Sequence, residues 1–540
     1  MTRTDKITLD AVIIGAGFSG LYQLYSLREK LGLDVKILEA AGGVGGTWYW
    51  NRYPGARCDS ESHTYCYYFK RELLENWQWS ERYPGQKEIL RYLEFCSRTL
   101  DLEKDIYFNE RVISGSWNTR IRAWQVETKS GKTFNARFLI TAVGCLSSAN
   151  KPKIDGIEEF CGDVYHTGEW PHEPINFAKK TVALIGTGST GIQAIPEIAR
   201  QAKRLYVLQR TPNYSVPARN RPLVRDFQSK FVQDIEYWRA KMLESRHGHP
   251  WMAPNRQGGT TDKTEQLKIM EAAWIHGGLS FRESFDDVLL NEKSNKIMSE
   301  FIRQKISKTV KNPETAQKLL PKDHPFGTKR PPIDTNYFET FNQDNVHLID
   351  LRSNPISGCD QSGIGLLDGT LINTDAIIFA TGFDAMTGSI ERLNLRGKNG
   401  IGLAEAWNAG PETYLGLAVP GFPNLFTITG PGSPSVLTNM PRSIEQHVDW
   451  ISNLITHMIQ CDHTEVEADV LAAKKWTRHV TDVANQTLLP KANHSWYLGA
   501  NIPGKPRVFM PYANGLNNYR KYCDEVANEK YRGFIFTELN

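Results

Sequence analysis

Two residues of opposite charge, in equivalent places, carry the clearest chemical signal in this sequence. Glu39 closes the run Val35-Lys-Ile-Leu38 and Arg210 follows the run Leu205-Tyr-Val-Leu208. Each stands 24 residues past the first glycine of a G-x-G-x-x-G turn, Gly15 in one case and Gly186 in the other. A carboxylate at such a strand end accepts hydrogen bonds from ribose hydroxyls and repels a 2′-phosphate, whereas a guanidinium there attracts one. The first position suits FAD or NAD and excludes NADP. The second predicts NADPH, which leaves FAD for the first.

The elements that must hold these residues follow from periodicity. Leu9 to Ile14 is an aliphatic run ending in Gly15-Ala-Gly17-Phe-Ser-Gly20, after which Leu21, Leu24, Tyr25 and Leu27 fall at helical spacing. Thr181 to Ile185 runs likewise into Gly186-Thr187-Gly188-Ser189-Thr190-Gly191, followed by Ile192, Ala194, Ile195 and Ile198. In each turn the first glycine allows the sharp bend, the second lets backbone approach a pyrophosphate, and the third lets the helix pack on the strand with its N-terminus toward the phosphates. The expected fold is α/β, with two Rossmann-like dinucleotide-binding domains. Residues 1–150 and 381–540 are expected to form a discontinuous FAD domain and residues 151–220 and 323–380 an NADPH domain. The stripe Phe227, Phe231, Ile235, Trp238, Met242 and a later one from Ile297 to Val310 predict that residues 221–322 are a helical insertion packed on the second domain. Within it, 247–261 reads as a mobile loop, with His247 and His249 at the surface.

Three further stretches are ambiguous one by one. Phe160, Gly162, His166, Trp170 and Pro171 lie in the segment joining the two units, which alone reads as a linker. Gly45-Gly46-Thr47-Trp48-Tyr49-Trp50-Asn51-Arg52-Tyr53-Pro54-Gly55-Ala56-Arg57-Cys58-Asp59 suits either a flat ligand or an aromatic mini-core. Lys329-Arg330 before Pro331-Pro332 is an ordinary solvated corner unless the prolines stiffen it for a purpose. Taken together, the first two match the FxGxxxHxxxWP and GGxWxxxxYPGxxxD patterns. The chain thus resembles the type I Baeyer–Villiger monooxygenases, most closely the phenylacetone, steroid and cyclohexanone group, over nearly its whole length.

That resemblance implies an NADPH-dependent flavin monooxygenase that inserts an oxygen atom beside a ketone carbonyl. Cyclic and aryl-alkyl ketones would give esters or lactones through a C4a-peroxyflavin, with sulfoxidation as a side activity. It implies that Arg330 and Asp59 are the catalytic pair beside the flavin. Gly46, Thr47, Trp48, Tyr65 and Met440 would join Gly15, Gly17, Gly20 and Glu39 along FAD. Thr211, Lys329, Arg330 and Trp496 would join Gly186 to Gly191 and Arg210 at NADPH, with Trp496 in a capping loop. The nearest rival is a flavin N- or S-oxygenase, against which Trp170-Pro171, Asp59 and Arg330 speak; a non-catalytic nucleotide-binding module is the other. A disulfide oxidoreductase of the same architecture would carry a redox CxxxxC, and Cys58 and Cys66 are eight apart.

Composition narrows the class. A chain of 540 residues exceeds one hydrophobic core, and a net charge of +4 gives no reason to expect nucleic acid or a membrane surface as partner. Eight cysteines show no CxxC pair and no histidine at zinc-ligand spacing, so reduced thiols and no metal are expected. No apolar run approaches the ~20 residues of a membrane span and the N-terminus has no signal-like core. The expected molecule is cytoplasmic, a monomer or weak oligomer, with a small ketone and dioxygen as its partners.

Overall fold

In the computed structural model, which describes residues 6–251 and 255–538, the strand Lys6–Ile14 runs parallel to Val35–Leu38 on one side and to Thr133–Thr141 on the other. Ala11, Val12 and Ile13 are wholly buried. This explains why the strand reads as a continuous apolar run rather than an alternating one: both faces of a parallel sheet are covered. The sheet has eight strands, extended by the antiparallel pair Val112–Asn118 and Ala123–Thr128 and by Leu425–Thr427, which returns late in sequence to lie parallel to Thr133–Thr141.

A second sheet of five strands is parallel throughout, in the order Val346–Asp350, Arg204–Gln209, Thr181–Ile185, Ala376–Phe379 and Asp163–His166. Its edge strand belongs to the segment that reads as a linker in sequence. Four residues are too short to show a period, and the partner, Ala376–Phe379, lies far along the chain.

The two glycine turns are built alike. Gly15 and Gly186 have φ of +103° and +113°, and a Cβ on them would lie 2.7 Å from Ala142 O and 2.4 Å from Ala380 O. A Cβ on Gly20 or Gly191 would lie 1.8 or 2.1 Å from the carbonyl oxygen of Gly15 or Gly186, so no side chain fits where helix crosses strand.

The insertion divides, contrary to the expectation that it packs on the second unit. Phe227–Gln233 and Ile235–Glu244 are two helices whose Phe231, Val232, Ile235 and Met242 join the core of the first unit with Tyr68, Leu73, Leu74 and Leu516. Lys263–His276 and Glu292–Thr309 cover the second unit, where Met270, Phe301, Ile302 and Ile306 pack with Ile195, Val207 and Tyr214. An apolar stripe states that a helix face is buried but not against what.

At 247–261 the described backbone is irregular, as expected, apart from a short turn at Gly258–Thr260, but the surface placement of the two histidines is corrected; residues 252–254 lie outside the described residues. His249 is buried and stacks on Trp251 at 4.0 Å between ring centres. His247 sits half-buried, 3.2 Å from Leu437 O and 3.2 Å from the Glu283 carboxylate. Glycines and prolines mark irregular backbone, and irregular backbone can be covered by distant segments that local sequence does not reveal.

Candidate active site

A cleft of about 1360 Å³ runs between the two glycine turns. From the first unit it is lined by Gly17, Gly46, Thr47, Trp48, Asp59, Tyr65 and Met440, and from the second by Gly186, Thr187, Gly188, Ser189, Thr190, Arg210 and Thr211. Lys329, Arg330 and Trp496 complete the wall. Residues separated by up to several hundred positions thus meet around one space.

Several expected residues stand behind this wall. Gly15, Gly20 and Gly191 shape the turns rather than face the cleft. The Glu39 carboxylate is buried and accepts the backbone N–H of Ala16 at 2.6 Å and of Ala41 at 2.7 Å. Burial raises its pKa, and those two N–H donors work against the rise. It therefore braces the first turn, with lone pairs on both oxygens left over.

The residues of the joining segment hold the crossover between units. The Nδ1 atom of His166 accepts the N–H of Gly168 at 3.0 Å, which sets the proton of the neutral ring on Nε2, 3.3 Å from Asn150 O. Thr381 Oγ1 donates to the same carbonyl at 2.6 Å. Asn150 and Thr381 lie on the two passes of the chain between the units, so His166 ties both together, and burial keeps its ring neutral by lowering its pKa. Gly162 is required sterically, since a Cβ would meet Asp375 O and the Phe160 ring at 2.5 Å. Trp170 packs on Tyr165 and Phe177, and Pro171 follows it after the short turn Thr167–Glu169 that ends the strand.

Gln193 is a residue that sequence reading missed. Its side chain accepts from Tyr53 OH at 2.8 Å and donates to Arg57 O at 3.1 Å. A Cβ on Gly55, whose φ is +80°, would lie 2.3 Å from Gln193 O. The Tyr53-Pro54-Gly55 turn is therefore a joint between the first unit and the helix Ser189–Ala199 of the second. The other aromatics of that stretch separate: Trp48 meets Tyr65 edge-on at 5.9 Å inside the core, while Tyr49 lies under Arg52 nearer the surface.

Arg330 and Asp59 form a two-pronged ion pair, Nε to Oδ2 at 2.5 Å and Nη2 to Oδ1 at 2.9 Å, and Nη1 donates to Val436 O at 2.7 Å. Burial alone would raise the Asp59 carboxyl, but the Arg330 guanidinium overrides it and holds the carboxyl below its usual range. Burial opposes the charge on Arg330 as well; Asp59 overrides that, and the guanidinium pKa is raised. A guanidinium has five N–H donors. Among the described residues three are engaged, leaving one on Nη1 and one on Nη2. Beside this pair Cys145, Val436 and Tyr497 form an apolar wall, with Leu146, Leu437, Met440 and Trp496 packed against it. No motif marks that wall, because any apolar side chain of the right volume serves.

At the far end of the cleft three cations, Arg210, Lys329 and Arg352, gather around one carboxylate, Asp323. Burial lowers the Lys329 pKa and the positive charges of Arg210 and Arg352 add to the effect, with Asp323 opposing. Arg352 is held by Asp323 at 2.5 Å and lies 3.4 Å from Thr211 Oγ1. It stands two residues past Asp350, which pairs with Gln209, so it lies level with Thr211 on the neighbouring strand end, next to Arg210 in sequence. A signal existed in the sequence, an arginine after a strand, but strand order is needed to read it. The Trp496 loop is pinned above by Asn501 Nδ2, which donates to Phe383 O at 2.8 Å, and by the ion pair of Lys505 with Asp384.

His447 supports the cleft from beneath. It is fully buried, and its Nδ1 accepts the N–H of Thr429, a cleft-lining residue, at 2.9 Å. Burial pushes its pKa down to about 3, against about 6.5 in the unfolded chain. Between those values the unfolded chain binds the extra proton, so this contribution to stability is complete above about pH 6.5 and is lost as pH falls toward 3. His447→Asn keeps an acceptor and removes the titration. The urea midpoint of the variant is expected to fall less steeply on acidification below pH 6.5 than that of the parent; parallel slopes would remove His447 as the source.

Comparison with known proteins places this geometry. A family model described as pyridine nucleotide-disulphide oxidoreductase matches residues 12–244. The chain is 40% identical to a cyclohexanone 1,2-monooxygenase of Acinetobacter sp, covering 98% of this chain and 97% of that one. It is also 40% identical to a Baeyer-Villiger monooxygenase of Pseudooceanicola batsensis, covering 99% and 97%. Among solved structures, an oxidized steroid monooxygenase bound to NADP superposes with a TM-score of 0.94 at 44% identity, covering 98% of this chain and 100% of the other. Among the described residues no helix is long and apolar enough to cross a membrane.

Proposed function

The chain belongs to the Baeyer–Villiger monooxygenase family, and from that premise we propose that it uses FAD, NADPH and dioxygen to convert ketones into esters or lactones. Bound FAD supplies acceptance of hydride from NADPH and activation of dioxygen for insertion beside a carbonyl.

The first glycine turn fits FAD. Gly15, Gly17 and Gly20 leave the Phe18–Tyr25 helix N-terminus open to a pyrophosphate, and the lone pairs left on the Glu39 carboxylate could accept a ribose hydroxyl while its charge disfavours a further phosphate. Gly46, Thr47, Trp48, Tyr65 and Met440 would flank the rest of the cofactor. The second turn fits NADPH, since Arg210, Thr211, Lys329 and Arg352 place three cations and a hydroxyl where the 2′-phosphate of the cofactor would be held.

The observation that carries the reading is the Arg330–Asp59 pair at the seam of the two cradles. Its two unengaged N–H groups can face a developing negative charge and a carbonyl oxygen, which a permanent cation stabilises without giving up a proton. Asp59 aligns the guanidinium. The cleft-lining Cys145, Leu146 and Val436 offer apolar contact to the carbon skeleton of a cyclic or aryl-alkyl ketone, and Trp496 would exclude water from above.

The test is a ketone panel analysed by gas chromatography beside NADPH consumption. At least one cyclic or aryl-alkyl ketone is expected to stimulate NADPH oxidation and yield a matching amount of ester or lactone. Oxygenation of a thioether or tertiary amine with no ester from any ketone would replace this reading with that of an N- or S-oxygenase.

A further inference from the structure

Far from the cleft, the described residues contain a group of three soft ligands that no part of the proposed reaction uses. His457 and Cys461 lie one turn apart at the C-terminal end of the helix Met440–Gln460, and His463 opens the strand His463–Ala468. One donor atom from each lies within 4.8 Å of the other two, and Cys461 Sγ is 3.8 Å from His457 Nδ1. The cysteines appear scattered without histidine partners in sequence; at Cys461 the structure corrects that expectation.

The backbone explains the convergence. Cys461 caps the helix and Asp462 adopts a left-handed φ of +54°, which reverses the chain and swings His463 back over the last turn. The His463 ring is then fixed by stacking on Phe536 at 4.7 Å, and the His457 ring lies against the same Phe536 and Tyr531. The Nδ1 atom of His463 is buried and has no hydrogen-bond partner, an arrangement that costs free energy unless something accepts or donates there. Cys461 is exposed, so ions can enter and a water can complete the coordination.

We propose that His457, Cys461 and His463 form a site for a divalent, borderline-soft metal ion, with Zn²⁺ as the best match to two imidazoles and one thiolate. The set is that of a three-ligand tetrahedral centre with one solvent position. Binding forms two N–metal bonds and one S–metal bond; the Cys461 thiol releases its proton to solvent, and nothing is oxidised or reduced. The helix carrying the site begins at Met440 in the cleft wall and has 21 residues, a span of about 30 Å. The ion is therefore a structural clasp that fastens the helix end to the antiparallel strand pair of His463–Ala468 and Phe534–Glu538, outside the chemistry of the cleft.

The test uses FAD-loaded enzyme and Co²⁺ as a spectroscopic stand-in, read as difference spectra. One equivalent of Co²⁺ is expected to produce a thiolate-to-metal charge-transfer band that Zn²⁺ abolishes and that Cys461→Ser and His457→Gln lack. Alkylation of Cys461, followed by peptide mass mapping, is expected to slow at least about ten-fold with saturating Zn²⁺. Cys161, also exposed, serves as the control and should react at an unchanged rate. Absence of the band together with unchanged Cys461 alkylation would overturn the site, as would equal protection of Cys161. Cys461 is exposed and His457 half-buried, and a retained flavin spectrum confirms that both variants fold.

Discussion

Arg330→Ala is expected to leave reduction of the flavin by NADPH largely intact while lowering ester formation by about 10²–10³-fold, the range seen when one donor to a developing oxyanion is removed. Three N–H groups of the Arg330 guanidinium hold it to Asp59 and Val436, so the remaining two are fixed in direction before substrate arrives, and preorganised donors stabilise charge without reorganising. Removing the cation also leaves the Asp59 carboxylate partly buried without its counter-charge, which raises its pKa toward and beyond the usual value. NADPH oxidation should then continue with release of hydrogen peroxide in place of ester. Arg330→Lys separates charge from shape: a lysine keeps the positive charge but cannot make the two-pronged contact, and an intermediate loss is expected. Rapid-mixing absorbance of flavin reduction and chromatography of products measure the two halves independently. Ester formation at the parental rate in Arg330→Ala would end the assignment, whereas a variant that fails to bind flavin would trace the loss to folding and shift the test to Arg330→Lys.

The second large effect concerns the cofactor. Arg210→Ala is expected to raise KM for NADPH roughly ten- to hundred-fold, because a charge-assisted contact to phosphate contributes about 1.5–3 kcal/mol, while KM for NADH stays near its parental value. Arg210 is exposed at the strand end, so the substitution leaves no buried group unpaired. Its neighbours sharpen the prediction. Lys329 and Arg352 remain in Arg210→Ala, and Arg352 is already engaged by Asp323; the double variant Arg210→Ala, Lys329→Ala should therefore lose most of the remaining preference for NADPH. Equal rises for both cofactors in the single variant would show that Arg210 holds some part that the two share.

What was legible from sequence alone shares one property: it is encoded locally. The two glycine turns, their strands and their helices follow from a few residues in contiguous order, and the opposite charges of Glu39 and Arg210 can be compared because each is counted from its own turn. Rigid local geometry makes such spacing informative. The resemblance carried by Phe160 to Pro171 and by Gly45 to Asp59 added Arg330 and Asp59, which the structure then brings into contact across 271 positions.

Tertiary structure alone decided the rest. Which core the helices at 227–244 would enter, why Gly55 must lack a side chain, that Glu39 braces its turn, and that His249 is buried all depend on which distant segment lies opposite. The same holds for Arg352, whose place beside Arg210 follows from strand order, and for His457, Cys461 and His463, whose meeting follows from one reversed residue at a helix end. A side chain's chemistry is written in its own identity, but its surroundings are set by packing between segments far apart in the chain, and no local period or spacing carries that information.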